Sequence, residues 1–389
     1  MTLLTLALSV LLLASMALYL GSLRSNEEAL NNLANVIEVP VKVGDPTGKS
    51  FVGLKIPAGL YDTLSSAGVV DLRTSANAVG AMAEDRRIMP PEAGGVDTSV
   101  SGISHWEQIV GLKPEKVTFA AGHDETIFSA AEGNAVVTGR FAKQYGLSPG
   151  DSFSLPLFQR NKSKNGSIQY AKLGEAELAV AGVLDDSMTG GAASDLYVPT
   201  EWLRAQTEDA GLSFFYSSIS AKLEDPRRLN EFKTAMQERG FQEAAFRTSN
   251  YTDNVLVISD KLFIRTSREL QKNVRTFQGF LIPFFLLVVF LAALSLFLIL
   301  RSSRRELAVA SSLGRSKIKS GVAQFAAVFL IALLGCCLAL PLMLLGGGLS
   351  VQISLSVCGL FLLCNAAGTI LALTLLLRFD TMELLTKVD

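Results

Sequence analysis

Three stretches of this 389-residue chain, Leu3 to Leu20, Phe277 to Leu300 and Gly321 to Leu377, contain no Asp, Glu, Lys or Arg at all. Such runs exclude a plain soluble enzyme, because nothing in them is fit to face water. Cysteine is scarce, and Cys336, Cys337, Cys358 and Cys364 all fall inside those runs. The rest of the chain therefore has no thiol for a disulfide or for a cysteine-ligated zinc. There is no excess of basic charge either: the net charge is −1, and Gly21 to Thr276 carries 27 basic against 32 acidic side chains. A nucleic-acid partner is excluded on that footing. Histidine is limited to His105 and His123, without the HxxxH spacing that puts two ligands on one helix face, so no metal site is expected.

What is present is hydrophobicity, at 49% of residues with a mean hydropathy of +0.35. About 20 helical residues cross a bilayer, so the first two runs make one span each and the third folds back once, near Gly346-Gly347-Gly348. We expect an α-helical membrane protein with four transmembrane helices and an inserted extracytoplasmic α+β domain with a β-rich subdomain. The expected divisions are span 1 at 1–21, the α+β domain with stalk helices at 22–276 (β-rich part about 134–200), span 2 at 277–300, a cytoplasmic loop at 301–320, spans 3 and 4 at 321–345 and 349–377, and a cytoplasmic tail at 378–389. Ala14-Ser15-Met16-Ala17 loosely imitates a signal-peptide cleavage site, but no basic segment precedes Leu3, which favours an uncleaved span.

Orientation follows from charge. Arg301, Arg304, Arg305, Arg315, Lys317 and Lys319 flank the single Glu306, which places this loop in the cytoplasm and the large domain outside. Arg265, Arg268, Lys272 and Arg275, just before the second span, pull the other way and are outnumbered.

Ser22 to Val36 reads as a helix leaving the membrane, and Thr252 to Thr276 as its mirror leading back, either as a two-helix stalk or as two solvated helices. Strand patterns at Val39–Val43 and Phe51–Ile56 precede a helix at Ala58–Ser66; a strand at Tyr216–Leu223 precedes a helix at Pro226–Gly240. Further strands are predicted at Ser152–Leu157, Glu177–Leu184 and Asp195–Val198, with a hairpin tip at Ser163–Ser167.

Two spellings imitate catalytic motifs. Gly44-Asp-Pro-Thr-Gly-Lys-Ser50 lacks the first glycine of a P-loop, where Val43 stands, and reads as a β-hairpin turn. Gly146-Leu-Ser-Pro-Gly150 matches GxSxG, but Pro149 has no N–H for an oxyanion hole and a helix precedes the turn. His105 beside Trp106 reads as a surface or core pair. No residue set supports a catalytic centre.

Arg301 to Gly314 is a short amphipathic helix stopped by glycine, with Leu307, Ala310, Ser311 and Gly314 on one face. Arg304, Arg305, Glu306, Leu307, Ala308, Val309, Leu313, Gly314 and Ser316 resemble the RRxEIAILRALGAS loop of FtsX-like, MacB-like ABC transporter permeases; Ser312 and Arg315 replace the usual alanines. Asp380-Thr-Met-Glu-Leu-Leu385 is similar to the closing DPVEAL of that family, with Thr381 for proline and Leu384 for alanine. In the large domain, Val136–Ala142, Tyr145–Asp151, Val180–Val183 and Tyr197–Pro199 resemble the series lAkklGlkvGD, f.VvGi, vyvPl. The resemblance covers the whole chain. One departure is that only Met1 and Thr2 precede the first span, where the family has a basic amphipathic segment; either the start is internal to the gene or this subunit lacks that element.

The resemblance implies a permease subunit in the bacterial plasma (inner) membrane that binds no cofactor itself, ATP and Mg residing on a separate ABC ATPase subunit. It implies docking of that ATPase on Arg304, Arg305, Glu306, Leu307, Leu313 and Gly314, a homo- or heterodimeric permease partner, and mechanotransmission to the outer domain for export or extraction of a peptide, lipid-linked or amphipathic substrate. The uncharged spans agree, since an ion pathway would display ionisable residues. Gln278, Gln324, Gln352 and Asn365 are expected to hydrogen-bond between helices, and Pro283 and Pro341 to kink their spans. Membrane lipid is the surrounding partner, and an extracytoplasmic protein partner belongs to the alternative reading, a non-transporting regulator or sensor whose outer domain controls a cell-wall hydrolase or binds a ligand. A receptor unrelated to ATP is the third reading.

Overall fold

The computed structural model describes residues 2–108, 112–162, 167–185, 194–240, 242–243, 254–302, 317–346 and 351–377. Its regular elements in chain order are α1 (Thr2–Val36), β1 (Pro40–Gly44), β2 (Ile56–Pro57), α2 (Ala58–Ser65), β3 (Val69–Gly80), α3 (Glu84–Ile88), β4 (Thr98–Ile103), β5 (Val117–Phe119), β6 (Asn134–Thr138), α4 (Gly139–Tyr145), β7 (Ser152–Lys162), β8 (Ile168–Leu184) and β9 (Leu196–Pro199). There follow α5 (Thr200–Asp209), β10 (Phe215–Tyr216), β11 (Ser218–Leu223), α6 (Leu229–Glu238), β12 (Gln242–Glu243), β13 (Val255–Ile258), α7 (Lys261–Ser302), α8 (Lys317–Gly346) and α9 (Val351–Leu377). The chain divides into two compact units, 1–33 with 264–389, and 34–263.

In the first unit α1, α7, α8 and α9 are each long and apolar enough to cross a membrane. Their shared core joins Leu13 and Met16 of α1, Val288 of α7, Ala332 and Cys336 of α8, and Val357, Cys358 and Phe361 of α9. Small residues let the helices approach: a Cβ on Gly368 would stand 2.7 Å from the Val289 carbonyl oxygen and 3.0 Å from Ala292, and one on Gly335 would stand 3.2 Å from Ser9. Pro283 and Pro341 lie inside helices α7 and α8. Asn365 was expected to bond between helices; instead its buried side chain accepts from Thr369 Oγ1, one turn later in α9, at 3.2 Å.

The second unit is built on a strand order β13-β1-β11-β3, antiparallel throughout, with α2 between β1 and β3 and α6 between β11 and β13. This is a β-α-β-β-α-β unit. Between its second and third strands the chain makes a ring: β3 pairs β4, then β9, β6, β8 and β7 follow, and β7 returns to β3 through Val79↔Phe158 and Gly80↔Leu157. Closure removes free edges. The 134–200 segment thus supplies four ring strands, and β3 and β4 from outside it supply the other two. Alternate residues Phe153, Leu155 and Leu157 of β7 are buried, as are Ala76, Ala78 and Gly80 of β3. Helix α5 packs on β3, β4, β8 and β9, with Leu203 over Gly102. A second core, Trp106, Phe119, Phe128, Val136, Ala181 and Tyr197, covers another face of the ring.

Two expectations are corrected. Phe51–Ile56 is not a strand except at Ile56: Gly53 has φ 68°, and Gly53 and Leu54 donate their N–H groups to Ser217 instead of to a ladder. The second stalk helix starts at Lys261 rather than Thr252, because Val255-Leu-Val-Ile258 pairs with β1 as a strand. The expected tip at Ser163–Ser167 lies, but for Ser167, outside the described residues; Lys162 and Ile168 on either side are paired.

Candidate functional site

Arg304, Arg305, Glu306, Leu307, Leu313 and Gly314 lie outside the described residues, as do the 380–385 segment and Gly347-Gly348. Their flanks are described: α7 ends at Ser302 and α8 begins at Lys317. The site that can be built from geometry is α7, which ends at that loop, together with α1, which is hydrogen-bonded to it.

Helix α1 runs for 35 residues and α7 for 42, roughly 52 and 63 Å at 1.5 Å per residue, well beyond the ~30 Å of hydrocarbon. They are joined where their apolar segments end. Tyr19 stacks on Phe284 at 4.5 Å, meets Phe277 edge-on, and its hydroxyl donates to the Phe277 carbonyl. About two turns further along α1, Glu27 accepts from Gln278 at 3.2 Å and Asn273 donates to Asn26 at 3.5 Å. Gln278 is thus an inter-helix hydrogen-bond donor. Beyond Val36 the chain enters β1, and it leaves β13 just before α7; β1 and β13 are adjacent, with Val41 opposite Ile258 and Ser259 N–H donating to the Pro40 carbonyl. Asp260, buried before α7, takes an ion pair from Lys233 of α6 at 2.6 Å.

The large domain holds two charged hubs that the sequence did not reveal. Asp71 has φ 53° and sits where β3 carries one residue more than β11, between the Ser220↔Arg73 and Lys222↔Val70 pairs. Its carboxylate accepts two 2.8 Å bonds from Arg73 and one at 3.1 Å from Lys222, and His105 Nε2 lies 4.0 Å away. The Arg73 guanidinium, and after it Lys222, hold the Asp71 carboxyl below the usual carboxylate range. The i, i+2 spacing of Asp71 and Arg73 was the available signal, but the bulge that aims them was not. In the second hub Arg204 of α5 reaches Glu208 at 2.8 Å, Asp62 of α2 at 3.3 Å and the Tyr216 hydroxyl at 3.2 Å, while Tyr61 stacks on Tyr216. Burial, then the Glu201 charge, push the Tyr216 hydroxyl far above its ordinary pKa.

The imitated motifs dissolve in detail. The Asp45 carboxylate accepts the N–H groups of Lys49 and Ser50 and the Thr47 hydroxyl, so the donors that would cradle a phosphate are already taken. The segment is an Asp-closed loop rather than a hairpin turn between paired strands, since β1 pairs β11 and β13. At Gly146–Gly150, Gly146 (φ 66°) ends α4 and Ser148 N–H donates to Asp151 before β7 begins, which makes it a turn. Trp106 packs on Phe128 and donates to the Glu125 carbonyl, so it is a half-buried residue at the edge of the second core. Among the described residues no three His, Cys, Asp or Glu side chains come together as a metal site.

Four membrane-length helices with an α+β domain inserted after the first define the architecture of an integral membrane protein. Residues 1–239 match the model of the MacB-like periplasmic core domain. The match spans more than half of the chain, which therefore belongs to the MacB/FtsX-type family of ABC permeases, components of transporters that work with an ABC ATPase. No individual curated protein matches the chain.

Proposed function

We propose that this chain is the membrane subunit of an ABC machine that converts ATP-driven closure of two partner ATPases into motion of an extracytoplasmic domain, extracting or exporting a peptide, lipid-linked or amphipathic substrate. The observation that carries this reading is the unbroken course of α1 and α7, which are bonded side by side and continue into adjacent strands of one sheet. Such a pair can transmit a displacement along its length, because each helix is a rod whose backbone bonds are satisfied internally. The chain works as a homo- or heterodimer in the bacterial inner membrane, with 34–263 outside, and the ATPase docks on Arg304, Arg305, Glu306, Leu307, Leu313 and Gly314. ATP and Mg stay on that partner.

The test is a detergent pull-down of the tagged chain from its host, for wild type and for Leu313→Asp. A protein with Walker motifs should accompany the wild type and be lost from the variant, since a carboxylate would be buried in an apolar contact. If no such ATPase accompanies the wild type, the reading fails.

A further inference from the structure

The four cations before the second span oppose the charge bias that orients the chain, and the proposed transmission mechanism does not use them. Arg265 is paired with Glu269 at 3.0 Å, but Arg268, Lys272 and Arg275 have no acidic partner among the described residues. These three are exposed and lie at i, i+4 and i+7 of α7, hence on one face. With Gln271 and Thr276 they line an open groove of about 370 Å³. The uncharged run begins at Phe277, only two residues after Arg275, so the groove stands at the level where hydrocarbon gives way to headgroups.

The same face continues into the apolar segment. Gly279, Ile282, Leu286 and Phe290 follow Arg275 at helical spacing, and Ile282, Leu286 and Phe290 are among the most exposed apolar side chains of α7, at 69%, 65% and 64%. Gly279 leaves a gap under the cations, since nothing lies within 4 Å of the position its Cβ would take. Ile282 and Leu286 stand about 10 and 16 Å along the axis from Arg275, the depth of an acyl chain. Cations above and a bare apolar rail below match one amphiphile.

We propose that this face of α7 binds an anionic phospholipid from the leaflet on the large domain's side, its phosphate held by Arg268, Lys272 and Arg275 and its acyl chain laid along Ile282 and Leu286. Arginine suits the task because its planar fork meets phosphate oxygens two at a time. A second copy of the chain is the weaker occupant. The acids on the paired helices are engaged within their own chain, Glu27 by Gln278, Glu28 by Arg24 and Glu269 by Arg265, which leaves no free carboxylate there to face the cations.

The full-length chain is reconstituted in nanodiscs of equal phosphatidylglycerol and phosphatidylethanolamine, released into mild detergent, and the lipids that stay bound are counted by native mass spectrometry. Wild type should retain phosphatidylglycerol several-fold over phosphatidylethanolamine. Arg268→Gln, Lys272→Gln and Arg275→Gln together should abolish that preference, and Lys272→Arg should keep it. Equal retention of the two lipids by wild type, or an undiminished preference in the triple variant, overturns the proposal. Should the triple variant fail to fold, Lys272→Glu alone decides in the same assay, with a several-fold drop expected. A benzophenone side chain at Gln271 should cross-link to phospholipid; cross-linking to a second copy of the chain instead also overturns it.

Discussion

Asp71 is the only non-glycine residue among those described with a left-handed backbone, a conformation that costs an L-residue roughly 1–2 kcal/mol. Its carboxylate offsets that cost by joining Arg73 and Lys222 across the bulge. Asp71→Asn keeps the tolerance for this backbone and loses the charge, and should lower stability by about 1–2 kcal/mol in thermal unfolding of the detergent-solubilised chain. The pH dependence has a definite sign. A carboxyl whose folded pKa is depressed contributes above its unfolded pKa, and that contribution is lost as pH falls through the folded value, so wild type and variant should converge in acid. Gly182 of β8 makes a different demand. A Cβ there would overlap Val117 of β5, so Gly182→Ala should cost about 1–3 kcal/mol in the same assay.

At the scale of elements, the membrane helices are held close by missing side chains rather than by polar bonds alone. Gly368 of α9 faces backbone atoms of α7, which cannot move aside as a flexible side chain could. Gly368→Val should therefore lower the thermal midpoint and the yield of monodisperse protein, whereas Gly359→Ala, with open space around it, should be neutral. The bonded ladder of Tyr19, Asn26, Asn273 and Gln278 makes α1 and α7 one rod. A short cross-link between cysteines placed at Asn26 and Asn273 of one chain should accordingly leave the ATPase turnover of the reconstituted complex within about twofold of the uncross-linked protein. A severe loss would mean that the two helices must slide past each other, contrary to the transmission reading.

For the whole molecule, orientation is the property on which every functional statement depends. All native cysteines lie within the uncharged runs, which gives a low background for a membrane-impermeant thiol reagent. In intact cells with a permeable outer layer, Glu92→Cys in the large domain should be labelled and Ser303→Cys should not; the reverse pattern would turn the machine inside out. The membrane character and the number of spans were legible in the sequence, because both are local: an uncharged run of sufficient length has no stable place in water. The α+β character of the large domain was legible for the same reason, from short alternating runs. What only the tertiary structure decided depends on partners far apart in sequence. Whether Val255–Ile258 is helix or strand was settled by the free edge of β1, closure of the ring by β3 meeting β7, and the left-handed turn at Asp71 by the register of β11. Local pattern specifies which segments must be buried, and only the pairing of distant strands and helices decides against what.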